Sequence, residues 1–346
     1  MPIKQTATVS VDIGHSNLKI VQTAADGRII KFAVHKMPEG CIDDLTIVYE
    51  DALIKSLKTA RRHARLGSGK CTLVVSGSDI IIRHFTLPPL GEEELYQNIL
   101  HEIAGYLPVD PDKYYIDYKV TGTVQEDGIS MNIVMVTCVH KKLLDKYKKD
   151  LRSAGLKLSI VDTCENACEK LLKLNHERNS AFSLEGGIAL LDFGTKYTRV
   201  SLYDNGRFFV SNVLKRSGHN ITEAISRATG KDVLSSELIK RDTDFLNAPH
   251  PNADLRSAVA YEVDALMNEI NRVLDYYRNR TKRPVRALYL SGGGSLMPGL
   301  HAYMRQHLGI PVFSGAELIP AGKAGENKGF AFLLNAYAAT LREETP

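Results

Sequence analysis

The sequence predicts an α/β fold of two lobes, and three observations support this prediction. A strand–turn–strand meander opens the chain, the same pattern recurs from about residue 187, and three consecutive glycines follow a later strand. The first meander begins with the alternating strand Thr8–Ile13, and its turn contains Asp12 and Gly14. The second places Asp192 and Gly194 in the same positions. Two copies of a meander with an acidic residue and a glycine at its first turn indicate a duplicated chain.

The stretch between the two copies predicts a small α+β domain inserted into lobe one at residues 35–160. A helix from Ile47 to about Ala64 comes first, and a strand follows it. The next helix is amphipathic and begins with three glutamates, which suit the positive end of a helix dipole. Two strands, a helix from Lys141 to Ala154 and a strand from Leu156 to Val161 complete the domain. This order of elements differs from the meander of either lobe.

The second copy carries an all-helical insertion at residues 217–283, whose longest helix runs from Ser257 to about Arg278. A strand from Arg286 to Leu290 then leads into the glycine turn, and a last helix is predicted from Phe330 to Arg342. The predicted core of lobe one is residues 1–34 and 161–186 with the returning segment 326–346, and that of lobe two is residues 187–216 and 284–325. The domains are therefore nested rather than joined in series.

Length and composition restrict the class of protein. A chain of 346 residues with 44% hydrophobic and 24% charged residues can form about two domains with substantial cores. The formal net charge of +4 argues against a nucleic-acid-binding protein, which would carry a clustered basic face. Five cysteines without a C-x-x-C pair indicate reduced thiols in a cytoplasmic protein. The sequence has neither a secretory signal nor an apolar run of ~18 residues, so we expect no membrane span.

Each of the three glycine turns follows a strand, where backbone N–H groups can form a nest for an anion. A glycine there lets a phosphate group approach the backbone closely, and Lys19 adds a positive charge for a β- or γ-phosphate. The candidate phosphate-binding residues are Gly14, His15 (through its backbone N–H), Ser16 and Asn17 in the first turn, Gly194, Thr195 and Lys196 in the second, and Gly292, Gly293, Gly294, Ser295 and Met297 in the third.

Two carboxylates stand beside these turns. Asp12 and Asp192 would repel bare phosphates, but they suit a site in which Mg²⁺ holds waters that bridge to both carboxylates. The sequence therefore predicts that a nucleotide with Mg²⁺ binds between the lobes. A single turn of this kind has an ordinary alternative, which is a hairpin that needs a positive φ angle. Three such turns, two of them in duplicated contexts, favour the phosphate site.

Glu237 and Lys240 lie one helical turn apart within Ser235–Lys240. From this spacing alone, the simpler interpretation is an i,i+3 ion pair on the surface of a helix. The alternative is a helix edge that lines an adenosine pocket. Spacing does not choose between a structural and a ligand-binding role for these two residues.

These motifs resemble those of the actin-like ATPase superfamily, whose two-lobed fold consists of duplicated ribonuclease-H-like domains. Val11–Lys19 resembles its first phosphate motif, Leu191–Thr198 its second and Tyr289–Pro298 its adenosine motif. The early α+β insertion is similar to that of the type IV pilus assembly family PilM and of the related cell-division protein FtsA. The stretches Phe85–Leu95 and Gly292–Leu300 resemble PilM in particular.

The resemblance implies an ATP-binding cytoplasmic scaffold of the type IV pilus that binds the short cytoplasmic N-terminal peptide of the membrane protein PilN. It implies ATP or ADP with Mg²⁺ as cofactors and places Glu237 and Lys240 near the adenosine. Gly218, which stands where chains of the family usually carry the first glycine of a Gly-Gly pair, is a further implied nucleotide-binding residue. Other inner-membrane pilus proteins are implied partners, self-association is open, and the chain would reach the inner face of the membrane only through its partners. Phe193 and the bulky Lys196 depart from the family pattern, which affects the expected geometry around the γ-phosphate.

Two other functions stay open, an FtsA-like filament-forming protein and a sugar or acid kinase. A kinase would need a general base in lobe one, for which Asp162 is the candidate. Fast hydrolysis would need a residue that holds water in line with the γ-phosphate, and the return strand offers Asp162, Glu165 and Asn166 but no glutamine. Asp162 or Thr163 could equally cap the helix that follows. We therefore expect weak or no ATPase activity, and we place the peptide groove near the junction of lobe one and the inserted domain.

Overall fold

The structure is a computed structural model that describes residues 3–4, 8–249, 251–320 and 328–343. The elements of its first half are β1 (Ile3–Lys4), β2 (Thr8–Ile13), β3 (Asn17–Thr23), β4 (Ile29–Lys36), β5 (Ile42–Asp43), β6 (Thr46–Ile47), α1 (Glu50–His63), β7 (Gly69–Val75), β8 (Ile81–Leu87), α2 (Glu92–Ala104), β9 (Tyr114–Glu126), β10 (Ile129–His140), α3 (Lys141–Ser153), β11 (Leu156–Thr163) and α4 (Cys164–Arg178).

The elements of the second half are β12 (Gly187–Phe193), β13 (Thr198–Asp204), β14 (Arg207–Leu214), α5 (Gly218–Thr229), α6 (Val233–Asp242), α7 (Ala253–Thr281), β15 (Val285–Ser291), α8 (Leu300–Leu308), β16 (Val312–Ser314), α9 (Leu334–Ala338) and β17 (Arg342–Glu343). Short 3-10 helices lie at Pro111–Lys113, Gly293–Leu296, Gly315–Leu318 and Lys328–Leu333.

Two five-stranded mixed sheets form the cores of the lobes, and they share one topology. The strand order is β11-β7-β2-β3-β4 in lobe one and β16-β15-β12-β13-β14 in lobe two. In each sheet, an antiparallel meander of three strands is extended on one side by two parallel strands. The predicted duplicated, two-lobed α/β fold is therefore confirmed. Because β2 and β12 occupy equivalent positions, the turns that follow them lie at equivalent edges of the two sheets.

The helical segment of lobe two packs against its sheet through one face of α7. Val259, Val263, Leu266 and Ile270 recur every three or four residues along this helix, and all four are buried in the core of lobe two. This is the amphipathic pattern that the sequence predicts. No helix in the described part of the chain is both long and apolar enough to span a membrane.

The inserted domain is smaller than the predicted segment 35–160. Strand β7 lies inside the sheet of lobe one, between β11 and β2, and α1 and α3 pack on the same lobe through Leu57 and Leu151. The separate unit is the three-stranded sheet β8-β10-β9 with α2, which spans residues 81–140. Residues Cys71–Val75 are buried on both faces of the strand, as expected for a central strand of a mixed sheet. The sequence placed β7 in the inserted domain because its neighbours along the chain were assigned there, but β7 pairs with strands of lobe one.

The last described segment returns to lobe one, as predicted, but only part of it is α-helical. The 3-10 helix Lys328–Leu333 precedes the five-residue helix α9, and β17 then pairs with β1. The hydroxyl of Ser10 on β2 donates a hydrogen bond to the carbonyl of Ala336, which fixes α9 against the sheet of lobe one. This packing brings the residues that precede α9 to the region between the lobes.

Candidate nucleotide cleft and peptide groove

The first two glycine turns have the same geometry, which reflects the duplication. The N–H of Gly14 donates to the carbonyl of Asn17 at 3.0 Å, and the N–H of Gly194 donates to the carbonyl of Tyr197 at 3.1 Å. A Cβ atom at Gly14 would lie 3.0 Å from the Asn17 carbonyl oxygen, and one at Gly194 would lie 2.6 Å from that of Tyr197. The second turn therefore requires glycine at position 194, and the first favours it at position 14, whatever binds to them.

The third turn approaches the second from within lobe two. Gly292 has a φ angle of +80°, and a Cβ atom there would collide with the carboxylate of Asp192. A Cβ at Gly294 would lie 2.5 Å from the ring of Phe193, so this glycine serves close packing. Ser295 is buried and donates to the Gly292 carbonyl at 2.6 Å, and Met297 is buried in the core of lobe two. Gly294, Ser295 and Met297 therefore support the turn through packing and hydrogen bonding within lobe two, and they do not line the cleft.

The three turns converge on one cleft between the lobes, with a volume of about 100 Å³. The cleft is lined by Asp12, Ile13, Gly14, His15, Ser16, Asn17, Lys19, Asp44, Ser76, Asp192, Gly194, Thr195, Lys196, Tyr197, Arg199, Val213, Gly292, Gly293 and Phe332. Most of the candidate residues of the sequence analysis are thus brought together, including both candidate carboxylates. Asp44, Ser76, Arg199 and Phe332 also line the cleft and were not among the candidates.

A largely buried cation lies beside the carboxylates of the cleft. The ammonium group of Lys19 donates to Asp12 at 2.9 Å. Burial alone would lower the pKa of Lys19, but the negative charges of Asp12 and Asp192 outweigh it and raise that pKa. Burial also raises the pKa of Asp192, against the opposing charge of Lys19. The ammonium group of Lys19 thus pairs with Asp12 and also feels the charge of Asp192, at the point where the sequence predicts a phosphate and a metal ion.

Two residues of the C-terminal segment reach this charged cluster. The ring of Phe332 lies 5.0 Å from the Lys19 ammonium nitrogen, within cation–π range. The side-chain amide of Asn335 on α9 donates to Asp192 at 2.8 Å. Within the run of apolar residues around position 332, the sequence carried no signal that either residue would reach the cleft.

Contacts across the cleft also join the lobes on the other side. Lys196, a predicted phosphate ligand, instead donates to Asp43 of the β5–β6 hairpin. The ring of His15 lies 5.4 Å from the ring of Tyr197, in an edge contact, and its Nε2 accepts from the backbone N–H of Asp44 at 3.2 Å. Burial, followed by the charge of Lys196, lowers the pKa of His15. The second turn is therefore held to lobe one by this chain's own side chains.

The residues that the family resemblance placed near adenosine form one cluster beside the second turn. Lys240 donates to the carbonyl of Gly218 at 2.9 Å, to Thr222 at 2.8 Å and to Glu237 at 2.5 Å. Gly218 in turn donates its N–H to the Gly194 carbonyl at 3.0 Å. Burial lowers the pKa of Lys240, although Glu237 opposes this shift. The ion pair expected from spacing is therefore present, and it is continuous with the phosphate-loop backbone.

The residues of the cleft suit a nucleotide with Mg²⁺ in chemical type but not in the space that they leave. Two carboxylates, a buried ammonium group and glycines without side chains are the groups that such a ligand requires. Small-molecule sites usually enclose ~300–1,000 Å³, several times the observed volume. The described residues hold no group of three or more histidine, cysteine or acidic side chains arranged so that they could bind a metal ion. A metal ion here would depend on phosphate oxygens and water for most of its ligands.

A larger groove of about 700 Å³ lies between lobe one and the inserted sheet. Its walls are edge strands, since β11 ends the sheet of lobe one and β9 ends the inserted sheet. The lining consists of Tyr115, Ile116, Asp117, Tyr118, Lys119, Met135, Thr137, Val139, Leu144, Asp145, Lys148, Leu158, Ser159, Ile160, Val161, Asp162, Thr163, Asn166 and Glu343. Consecutive residues of β9 and β11 line it, so both strands present their backbone edge rather than one face.

Asp162 lies in this groove and not in the cleft, which contradicts its expected place as a kinase base. Its carboxylate accepts hydrogen bonds from Lys170 at 2.5 Å and from the side chain of Asn166 at 2.8 Å. Thr163 caps α4 by accepting from the backbone N–H of Asn166 at 3.2 Å. Thr163 therefore caps the helix, as the alternative interpretation predicted, whereas Asp162 forms an ion pair with Lys170 and does not cap α4.

A family model described as type IV pilus assembly protein PilM matches residues 10–314. FtsA of Rhizobium meliloti (strain 1021) is 25% identical over 96% of this chain and 86% of its own length. FtsA of Buchnera aphidicola subsp. Baizongia pistaciae (strain Bp) is 21% identical over 72% of this chain, and the match spans only 60% of that FtsA.

Among solved structures, the PilM–PilN type IV pilus biogenesis complex matches with a TM-score of 0.80 at 23% identity, over 97% of this chain and 99% of that one. MreB5 of Spiroplasma citri bound to AMPPNP matches with a TM-score of 0.53 at 12% identity, over 95% and 94% of the two chains. These structural matches confirm the actin-like fold.

Proposed function

The chain belongs to the PilM family of type IV pilus assembly proteins, and on this premise we propose that it is an ATP-binding scaffold that holds the cytoplasmic N-terminal peptide of PilN. The observation that carries the proposal is the groove between two free strand edges, beside a cleft built from three glycine turns. The PilM–PilN complex shares the fold over almost the whole chain. The scaffold would work in the cytoplasm and reach the inner face of the membrane through PilN and other pilus proteins.

The groove suits an extended peptide. Among the strands of the described residues, none lies beside the outer edge of β11, so its backbone N–H and C=O groups can pair with an added strand. Ile160 is 40% exposed and Tyr115 is 45% exposed, and both offer apolar contact to alternate side chains of such a peptide. Lys148, Asp117 and other charged residues of the lining would select polar side chains at the remaining positions. Backbone pairing would supply affinity, and the side-chain contacts would supply specificity.

The cleft would hold the nucleotide through its glycine turns. The backbone of the turns at Gly14 and Gly194 would receive the phosphates, and Lys19 would neutralise phosphate charge. Asp12 and Asp192 would hold the waters of Mg²⁺, which when bound supplies positive charge between carboxylates and phosphates. Gly218, Glu237 and Lys240 would lie nearest the adenosine. MreB5, which shares this fold, was solved with AMPPNP, and we carry nucleotide binding to this chain as part of the proposal.

Helix α4 offers a physical connection between the two sites. Arg199 of the cleft donates to Glu165 at 2.9 Å, and the next residue of the helix, Asn166, lines the groove. Lys119 of the groove donates to Glu169 of the same helix at 3.1 Å and to Glu343 at 2.7 Å. A nucleotide that prefers one arrangement of the lobes would therefore bias the groove through a population shift. This role as a clamp does not require fast hydrolysis.

The proposal is tested by calorimetry with a synthetic PilN N-terminal peptide and a matched pair of variants. Ile160→Asp puts a charge into the groove, whereas Ile129→Asp puts the same charge on an exposed position, 59% accessible, outside the groove. We expect Ile160→Asp to raise the Kd by at least about tenfold, because it removes burial of an apolar side chain, and Ile129→Asp to leave it unchanged. Equal effects of the two variants on the Kd, or no binding by the parent at millimolar peptide, would refute the proposal that this groove binds the peptide.

A further inference from the structure

We propose that Phe332 and Asn335 form an internal plug that occupies the phosphate end of the cleft and competes with nucleotide. This inference rests on the proposed nucleotide site and concerns its regulation. Neither residue belongs to the glycine turns or to the Glu237–Lys240 ion pair on α6. Both come from the segment that returns to lobe one after the core of lobe two is complete.

The first observation concerns charge. The Lys19 side chain is 13% exposed, and its ammonium group contacts the carboxylate of Asp12 and the face of the Phe332 ring in the cleft. An aromatic face is a weak substitute for a phosphate, since its quadrupole attracts a cation without carrying net charge. Asn335 provides the complementary contact, an amide donor 2.8 Å from Asp192. The plug therefore places the partial negative charge of an aromatic face against Lys19 and a hydrogen-bond donor against the carboxylate of Asp192.

The second observation concerns space. Phe332 lines the cleft together with the three glycine turns. A Cβ atom at Gly293 would lie 3.2 Å from the Phe332 ring, so the ring fills the room that the missing side chain leaves. A ligand that brought phosphates to Lys19 and Gly293 would meet this ring. Phe332 is thus one of the side chains that limit the cleft to about 100 Å³.

The movement that the proposal requires is confined to the Phe332 side chain, because its neighbours Ala331 and Leu333 are buried and Asn335 lies on α9. α9 is fixed to β2 by the Ser10–Ala336 hydrogen bond, whereas Phe332 lies in the 3-10 helix before it. The neighbouring Phe330 makes an edge contact with Phe32 at the surface and does not line the cleft. Withdrawal of the Phe332 ring would free the phosphate end while α9 stays in place. The apparent affinity for nucleotide is then reduced by the fraction of molecules in which the plug is withdrawn.

A test without nucleotide comes first. We would compare the full-length parent, Phe332→Ala and the matched control Phe330→Ala for acylation of Lys19 by a small amine-reactive ester, quantified by peptide mass spectrometry. The plug predicts several-fold faster acylation of Lys19 in Phe332→Ala and no change in Phe330→Ala. Phe332→Leu keeps apolar bulk in case the alanine variant unfolds, and it should give an intermediate rate. Unchanged acylation of Lys19 in both Phe332 variants overturns the plug, whatever the nucleotide result.

A second measurement uses calorimetry with MgADP and MgATP on the same proteins. Phe332→Ala should bind about tenfold more tightly than the parent, the factor expected when a cation–π contact of ordinary strength no longer favours the blocked state. The plug would be supported equally if Phe332→Ala bound a nucleotide and the parent showed no detectable binding. Equal or weaker binding by Phe332→Ala overturns the plug and leaves the nucleotide site intact. Faster acylation with no nucleotide binding by any variant overturns the proposed nucleotide site, and the plug as its regulator falls with it.

Discussion

Arg199 in the wall of the cleft donates a hydrogen bond of 2.9 Å to Glu165, the second residue of helix α4. The Glu165 side chain is 2% exposed and the Arg199 side chain 12%, so water screens this ion pair little. The pair joins strand β13 of lobe two to the helix that follows the groove strand β11. The two lobes are thus linked by a buried charge pair between a residue that lines the cleft and the helix that also lines the groove.

Arg199→Met should destabilise the protein by about 3–5 kcal/mol, because it leaves the buried Glu165 carboxylate without its partner. The control is Arg28→Met, which breaks the surface pair with Asp26, where the side chains are 59% and 50% exposed. Exposed pairs contribute ~0–1 kcal/mol, so this variant should unfold almost like the parent. Urea unfolding followed by circular dichroism gives both free energies. A cost for Arg199→Met no greater than that of Arg28→Met would contradict this account of the lobe interface.

Lys19→Ala should weaken nucleotide binding by about 1.5–3 kcal/mol, the usual value of a charged hydrogen bond. Thermal shift with MgADP and MgATP measures the change, and melting without ligand shows whether the variant folds. A thermal shift with either nucleotide as large as that of the parent would remove Lys19 from the phosphate site.

Gly293→Val should abolish nucleotide binding, because its side chain would enter the space now shared with Phe332. Gly67→Val is the matched control, since a Cβ atom at Gly67 would meet no atom within 4 Å. The same thermal-shift measurement applies, and we expect the control to respond to nucleotide like the parent. Retained binding by Gly293→Val would show that the third turn lies away from the ligand.

The sequence predicted the meanders and their turns well because their signals are local. Alternation, the Asp-x-Gly turns and the glycine hairpins each lie within a few residues, and the duplication repeats them. The assignment of β7 to the inserted domain was wrong because strand pairing depends on distant partners, and Leu73 pairs with Val11 and Val161 across the sheet.

Asp44 and Phe332 line the cleft but were not predicted from the sequence, also because their positions depend on distant parts of the chain. Asp44 reaches the cleft through a hairpin whose position is set by packing, and Phe332 through the return of the chain's end to lobe one. A pair of aspartates between apolar residues indicates a turn but not its location in the fold. Lys196 was predicted as a phosphate ligand from its neighbours in sequence, and only the fold shows that Asp43 lies within its reach.

Asp150→Asn should stabilise the protein at neutral pH. The Asp150 side chain is fully buried on α3, and its carboxylate oxygens have no hydrogen-bond partner among the described residues. Burial, together with the charge of Glu50 and against those of Lys149 and Lys146, raises the pKa of Asp150 to about 6. A raised pKa in the folded state means that stability is highest below the unfolded value near 3.8 and is lost as pH rises through about 6.

The measurement is the melting temperature of the parent and Asp150→Asn between pH 4 and pH 8. The variant should melt higher than the parent at pH 8, and the difference should shrink towards pH 4, where Asp150 is increasingly protonated. Asp51→Asn, an exposed position on α1, is the control and should show no such dependence. A difference that is constant with pH would assign the effect to packing rather than to the buried carboxylate.

ATP turnover should be slow or absent, because the described lining of the cleft offers no free base near the phosphate turns. Asp12 pairs with Lys19, Asp192 accepts from Asn335, and Nε2 of His15 already accepts from the backbone of Asp44. The carboxylate of Asp44, which also lines the cleft, accepts from the backbone N–H and the hydroxyl of Ser78. The lining contains neither glutamine nor glutamate that could hold a water in line with a γ-phosphate. Phosphate release measured beside PilN-peptide binding tests this clamp. Turnover above about 1 s⁻¹, within the usual range of enzymes, together with peptide affinity that ignores nucleotide, would refute it.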